Sequence, residues 1–333
     1  MTRFIYFLLI AMLIGCGSDS PKAKLELASK QFEIFKDNTI HFTPSDSSKY
    51  ETATTWALDN GRVVLSTVEI PRFDQPVRIL ARLATKPIPK DIQFVYDPWD
   101  RAGTVRLVNK DRADVEILKF ITAYGGYTEH SIDVSYLAPF LRDGCTIAGF
   151  IDTWSSPGWK MDFTLEFQED PQVINPTWGQ ALVYEQSFDQ ESYGEGGIDV
   201  EVNIPEGLNQ LKLHYLVSGH CTDGMGADEF ESKDNVISVD GKEVHRFRPW
   251  RDDCLQYRAI NPYCRRWSDG SWSSDYSRSG WCPGNPVLPV EIDLSSALSA
   301  GDHLINISID DIRPKNEAGN FGYWRVSAYL LGW

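Results

Sequence analysis

The octapeptide Lys160-Met161-Asp162-Phe163-Thr164-Leu165-Glu166-Phe167 decides the fold. Its apolar residues fall at every second position, and a charged or hydroxyl residue stands between each pair. Successive side chains of an extended chain point to opposite faces, so this segment is a strand with one apolar and one wet face. The same period recurs outward from it. Ile198, Val200, Val202 and Ile204 alternate with Asp199, Glu201 and Asn203, and Ile305, Ile307 and Ile309 repeat the pattern. Helical periodicity is scarce, and Gly, Pro, Asn and Asp punctuate the strands at short intervals. That is the pattern of β-sandwiches and jelly rolls.

An internal repeat accompanies the strands. Ile132-Asp133-Val134-Ser135 leads to Leu137, Leu141 and Gly144, an apolar strand, then Gly158-Trp159. Ile292-Asp293-Leu294-Ser295 leads to Leu298 and Gly301, an apolar strand, then Gly322-Tyr323-Trp324. The same parts in the same order predict two similar sandwiches, at 25–170 and 176–333. The polar stretch 168–176, with Pro171 and Pro176, parts them. Two sandwiches side by side leave a groove, a common place for a ligand.

Composition agrees. A chain of 333 residues is long enough for two domains, and a 42% hydrophobic share supplies two cores. The formal net charge of -15 argues against nucleic acid, whose phosphates need clustered Lys and Arg. Arg3 precedes an apolar run at 4–14, too short to span a bilayer, which takes about 20 residues. It fits a secretory signal. Its end, Leu13-Ile14-Gly15-Cys16, resembles the lipobox of bacterial lipoproteins. The expectation is a signal at 1–15, an acylated Cys16 and a polar tether at 17–24. The protein is then a monomer in the bacterial cell envelope, held at the outer membrane, and it meets the membrane through its lipid alone.

Export places the chain where disulfides form. Five cysteines follow Cys16, so at least one stays unpaired. Cys145, at the mouth of an apolar run, reads as a buried thiol. Cys221, Cys254, Cys264 and Cys282 allow two bridges of open connectivity. No C-x-x-C or H-x-H spacing marks a metal site, and no metal or cofactor is expected.

Four segments carry chemistry. Asp97-Pro98-Trp99-Asp100-Arg101 sets an indole, two carboxylates and a guanidinium on one strand-entry loop. Alone, it is also an ordinary turn with a surface ion pair. Ile151-Asp152-Thr153-Trp154 closes an apolar strand with an acid beside a Trp. The stretch from Ser218-Gly219-His220 to Asp228-Glu229-Phe230 is Gly-rich and holds acids and a His, without the G-K-[ST] of a phosphate loop. Residues 248–289 alternate little and hold Trp250, Trp267, Trp272 and Trp281 with several Arg. So long a stretch is functional or disulfide-stapled. Aromatic faces with Arg forks suit sugar rings, although some of these Trp residues fill cores.

Together these segments resemble the peptide-N-glycosidase F family. In the first half the motifs are Asp97-Pro98-Trp99-Asp100-Arg101, Lys119-Phe120-Ile121-Thr122, Ile132-Asp133-Val134, Asp152-Thr153-Trp154 and Asp162-Phe163. In the second they are Ser218-Gly219-His220, Asp228-Glu229-Phe230 and Arg278-Ser279-Gly280-Trp281-Cys282-Pro283-Gly284. The resemblance implies two side-by-side eight-stranded jelly-roll sandwiches with the active site between them. It also implies hydrolysis of the amide that joins N-acetylglucosamine to asparagine in an N-linked glycan, leaving aspartate and a glycosylamine. Asp100 falls on the principal catalytic Asp, Glu229 on the second acid and Asp152 on the third, where the family has Glu. Trp99, Arg101, Trp154, Arg278 and Trp281 fall on site-lining positions, and His220 joins them as a substrate-binding candidate. Family cysteines are missing at Ala227 and Glu231. The bridge ending at Trp281-Cys282-Pro283-Gly284 is kept, which pairs Cys254 with Cys282 and leaves Cys221 with Cys264.

Carboxylates with separated pKa values suit such an amidase: Asp100 as general acid/base, Glu229 holding the water, Asp152 on a sugar hydroxyl, Arg101 or Arg278 at developing negative charge. A glycan-binding lipoprotein without turnover shares the Trp and Arg residues but needs no acid at 229. A glycosidase cutting between sugars would also use two carboxylates. A copper monooxygenase needs clustered His, which this chain lacks.

Overall fold

A computed structural model describes residues 27–44, 49–51, 55–57, 59–194 and 196–333. The expected signal at 1–15, the acylated Cys16 and the tether at 17–24 lie outside the described residues. Among the described residues no helix is long and apolar enough to cross a membrane.

The first half forms β1 (Ser29–Ile40), a small hairpin of β2 (Lys49–Glu51) and β3 (Thr55–Ala57), β4 (Val63–Ile70), β5 (Val77–Pro87), β6 (Ala102–Leu107), β7 (Val115–Ile121), β8 (Thr128–Asp133), β9 (Asp143–Ile151) and β10 (Trp159–Glu169). The octapeptide lies in β10, between β1 and β5, with Leu165 opposite Phe32 and Ala81. Its apolar face, Met161, Phe163, Leu165 and Phe167, is buried with Trp159. Burying each such side chain stabilises by about 1.5–3 kcal/mol, which fixes the register, because a slip of one residue would turn the whole face to water.

The second half forms β11 (Trp178–Phe188), β12 (Ile198–Ile204), β13 (Leu211–His220), β14 (Asn235–Val239), β15 (Lys242–Phe247), β16 (Pro286–Val287), β17 (Val290–Asp293), β18 (Gly301–Ile309) and β19 (Tyr323–Gly332). The sheets run β1-β10-β5-β8 and β7-β6-β9-β4 in the first sandwich, and β11-β19-β13-β17 and β12-β18-β14-β15 in the second. With the small hairpin and β16 set aside, each sandwich has eight strands in one order. The first, eighth, third and sixth form one sheet; the second, seventh, fourth and fifth form the other. This is the jelly roll, built twice.

The sequence repeat marks equivalent places in the two copies. After the sixth strand, Ser135 Oγ accepts from Ile79 N at 2.9 Å, while Ser295 Oγ accepts from Leu211 N at 3.0 Å. Both hydroxyls donate back to the Asp two residues earlier, Asp133 and Asp293. Each clip ties the end of a sixth strand to the third strand, satisfying a backbone N–H that would otherwise be orphaned.

The two sandwiches share a core. Ala181, Leu216, Tyr329 and Leu331 of the second join the buried cluster of the first, and every residue of β7 is buried. The excursion 248–289 then crosses over: β16 pairs with β7, setting Val287 opposite Lys119 and lengthening the first sandwich's sheet. Buried Asn261 accepts from Tyr124 N at 2.8 Å and donates to Tyr257 O and Pro283 O. Gly125 and Gly126 permit that approach, since a side chain on Gly126 would run into the Ile260 carbonyl. The Cys254–Cys282 disulfide closes the excursion.

The expected bridge between Cys221 and Cys264 is not formed; both thiols are free. Cys221 leaves the end of β13 and accepts from Glu229 N, whereas Cys264 lies within the excursion, in a hollow with Leu255, Arg258 and Trp272. Cys145 is the buried free thiol expected of it.

Candidate active site

The connection between the third and fourth strands of the first sandwich, residues 88–101, carries Asp97 and Asp100. The structure gives these two carboxylates opposite tasks. Asp97 is wholly buried. It accepts from Arg101 Nε at 2.9 Å, from Thr153 Oγ1 at 2.5 Å and from Trp99 N at 3.3 Å. It is a strut that sets the loop's shape. Arg101 is spent on it, and the Arg101 backbone N–H is held by Thr122 Oγ1 at 2.8 Å. Asp100 instead turns to the junction between the sandwiches.

The equivalent connection of the second sandwich, residues 221–234, carries Glu229. Asp223 folds this loop by accepting from Met225 N and Ala227 N, and Arg313 anchors Asp223 at 2.7 Å. Gly226, at φ +109°, takes a conformation that L side chains rarely adopt. Ser279 N donates to Glu229 O at 2.9 Å, fastening the loop to the excursion. Asp228 is buried beside Glu229 and neither of its carboxylate oxygens has a hydrogen-bond partner. Burial pushes its pKa up to about 6.

Arg278 joins the two loops. It is 1% exposed, with Nε 3.2 Å from Glu229 Oε1 and Nη2 3.7 Å from Asp100 Oδ2. Its other N–H groups donate to Tyr276 O and Ser273 O at 2.8 Å, and its plane lies 4.7 Å from the Trp281 ring centre. The guanidinium is thus fixed by backbone carbonyls and indole as well as by its hydrogen bond to Glu229. Burial raises the pKa of Asp100 to about 7; Arg278 and the Tyr124 hydroxyl oppose that rise and Glu229 adds to it. Burial also raises Glu229, against Arg278. Asp100 Oδ2 is buried and has no hydrogen-bond partner. Of the two carboxylates around this cation, Asp100 is the one that can exchange a proton with a bound molecule near neutral pH.

The other expected site residues divide. Trp99 and Trp154 are 57% and 59% exposed, Trp154 with the Arg62 guanidinium 4.8 Å from its ring centre. Asp152 does not join the Asp100–Glu229 cluster. Its oxygens are taken by Arg62 at 2.9 Å and Arg325 at 2.7 Å. Trp281 and His220, expected on the ligand, are buried. Trp281 Nε1 donates to Gly219 O at 2.7 Å, and its ring stacks on His220, whose Nε2 meets Ser218 Oγ at 2.8 Å. Burial among cations holds the His220 pKa well below its ordinary value, so the ring is neutral. These two form the floor under Arg278. Tyr124, Arg62 and Arg325 escaped the sequence reading. Only the glycine pair after Tyr124 hints that another segment closes on it.

Two cavities lie at this junction. One, about 650 Å³, is aromatic and includes Trp99, Phe230, Trp250, Trp267 and Arg278. The other, about 620 Å³, is polar and includes Arg62, Asp152, Trp154, Gln186 and Arg325. In the polar one, Arg62 Nε, Gln186 Nε2 and Arg325 Nε are buried donors without partners. Among the described residues, the group of potential metal ligands Asp253, Cys254 and Cys282 is the disulfide and its neighbour.

Two jelly rolls with a carboxylate pair at their junction define the class, and comparison with known proteins makes it particular. Residues 187–331 match the family model described as "Peptide-N-glycosidase F, C terminal". The structure of PNGF-II is similar with a TM-score of 0.79 at 27% identity, over 91% of this chain and 65% of that one. PNGase F, a glycosylasparaginase from Flavobacterium meningosepticum, is similar with a TM-score of 0.69 at 18% identity, over 92% and 96%. A peptide-N(4)-(N-acetyl-beta-D-glucosaminyl) asparagine amidase gives 0.70 at 18%, over the same shares. No curated protein sequence matches. The second sandwich thus matches the C-terminal part of the peptide-N-glycosidase F family, and the chain as a whole is similar in fold to PNGF-II. It spans about two thirds of the PNGF-II chain it matches.

Proposed function

We propose that this protein hydrolyses the amide between N-acetylglucosamine and asparagine in N-linked glycopeptides or glycoproteins. The observation that carries the reading is the sharing of buried Arg278 by Asp100 and Glu229, each delivered by the same connection of a different sandwich. Glu229 holds a water and takes its proton as the oxygen attacks the side-chain carbonyl carbon. Arg278 stabilises the oxyanion that forms. Asp100, with a pKa of about 7, gives a proton to the nitrogen as the C–N bond breaks. The peptide keeps a carboxylate and the sugar leaves as a glycosylamine. Arg101 is spent on Asp97, which leaves the oxyanion to Arg278.

The polar cavity takes the glycan. Its polar lining of Arg62, Gln186 and Arg325 suits sugar oxygens, and exposed Trp154 offers a face for a ring. Asp152 reaches a sugar hydroxyl from between its two arginines. Incubation with an N-glycopeptide and mass measurement of the peptide tests the reading. Aspartate at the former glycan site is expected. Asparagine still bearing one N-acetylglucosamine would mean a sugar–sugar glycosidase, and retained glycopeptide with measurable binding would mean a non-catalytic glycan binder. The lipid anchor at Cys16 in the bacterial outer membrane belongs to the same proposal; fatty-acid labelling that vanishes in Cys16→Ser is its test.

A further inference from the structure

The aromatic cavity is chemically unlike its polar neighbour. Its lining has three Trp, one Phe and three Tyr rings, no carboxylate, and only Arg265 and Arg278 as charges. A sugar ring presents hydroxyls on most of its edge and asks its site for acceptors as well as donors. An apolar peptide side chain asks only for area. Arg278 belongs both to this cavity's wall and to the Asp100–Glu229 cluster, so whatever occupies the cavity lies against the bond being cut.

The rim extends the same surface. Ile92 is 100% exposed and Phe94 is exposed beside it, on the loop that continues to Trp99. Tyr263, which lines the cavity, donates to Gln93 O at 2.6 Å and ties that loop to the cavity's wall. Exposed apolar side chains continuous with an apolar cavity mark an interaction site.

We propose that this cavity is the aglycone subsite: it receives the residues flanking the glycosylated asparagine, favours bulky apolar side chains there, and disfavours Lys and Arg because the wall offers them no carboxylate and Arg265 repels them. This deepens the amide-hydrolysis reading and rests on it for the placement of the scissile bond.

The test compares glycopeptides that differ only beside the asparagine, with Phe, Gly or Lys. Wild type should turn over the Phe peptide with a kcat/KM about tenfold above the Gly peptide, the Lys peptide being slowest. In Trp267→Ala and in Trp250→Ala the Phe-to-Gly ratio should fall towards one. Calorimetry supplies a readout that needs no turnover. Affinity for the Phe-flanked Asp product peptide should drop about tenfold in both variants, while affinity for N,N′-diacetylchitobiose stays unchanged, which also shows the variants are folded. Equal wild-type binding of Phe- and Gly-flanked product peptides, or loss of disaccharide affinity in both variants, overturns the proposal. Failure of all turnover would instead remove the hydrolytic reading, and the calorimetric comparison would still decide the subsite.

Discussion

The two sandwiches are the same fold with unequal loops. Both place their eight strands in one order, and both clip the sixth strand to the third through a serine hydroxyl. Both use the connection from third to fourth strand, 88–101 and 221–234, to carry an acid to the junction. They part at the connection from fifth to sixth strand. In the first sandwich this is the short link 122–127; in the second it is the excursion 248–289, which supplies Arg278 and most of the aromatic cavity. The repeated strands make two scaffolds, and the site arises where one copy grew a segment that the other accommodates with Gly125 and Gly126.

The equivalent acids should therefore prove unequal. Asp100→Asn should lower kcat/KM by 10³-fold or more, and Glu229→Gln by about 10²-fold, within the range for a lost acid or base. The pH profile sharpens the contrast. Glu229 raises the Asp100 pKa and Arg278 lowers it. The limb of kcat/KM near pH 7 should move to lower pH in Glu229→Gln and to higher pH in Arg278→Gln. A limb that stays in place in both variants would mean that Asp100 is not the group observed. Next in size is the excursion's own bond. Replacing Cys254 and Cys282 by Ser together should cost about 3–4 kcal/mol by loop-closure entropy, read from denaturant unfolding.

How far the sequence revealed this follows from what each part depends on. Strand faces are local: alternation in 160–167 foretold β10, and the Ile132 and Ile292 repeats marked matching strands. Loop geometry is not local. Asp97 and Asp100 look alike in sequence, but Arg101 and, from a different connection, Thr153 make one of them a strut. Trp281 and His220 sit in motifs that read as site-lining, yet burial makes them the floor beneath Arg278. Asp152 reads in sequence as a third site acid, but Arg62 and Arg325 reach it from β4's entry and from β19. The pairing of Cys221 with Cys264 rested on elimination, which carries no geometry.

The buried Asp of each equivalent loop gives a second contrast. The Asp97 carboxylate has Arg101, Thr153 and Trp99 N; the Asp228 carboxyl has no hydrogen-bond partner, although its backbone carbonyl accepts from Ser279 Oγ. Asp97→Asn should destabilise by about 3 kcal/mol, since it leaves Arg101 uncompensated. Asp228 behaves oppositely. Its pKa is raised from 3.8 to about 6, so between those values the folded protein keeps a proton that the unfolded chain has released. Stability falls as pH rises through that window and is flat above it. Asp228→Asn escapes the fall and should gain on the order of 2–3 kcal/mol over wild type on going from pH 4 to pH 8. Parallel stability–pH curves for the two proteins would overturn this.

The two serine clips give the smallest effect and the strictest comparison. Each hydroxyl accepts from one backbone N–H at nearly the same distance, so hydrogen bonding alone predicts equal losses. The environments differ. Ser135 is buried under the turn that packs against the second sandwich, where Tyr136 stacks on Tyr329; Ser295 lies exposed. In Ser135→Ala the Ile79 N–H is left without water and should cost about 2 kcal/mol; in Ser295→Ala water replaces the hydroxyl at Leu211 and the cost should stay under about 1 kcal/mol. Equal losses would mean that the clip acts through strand geometry alone, and that the junction between the sandwiches adds nothing to it.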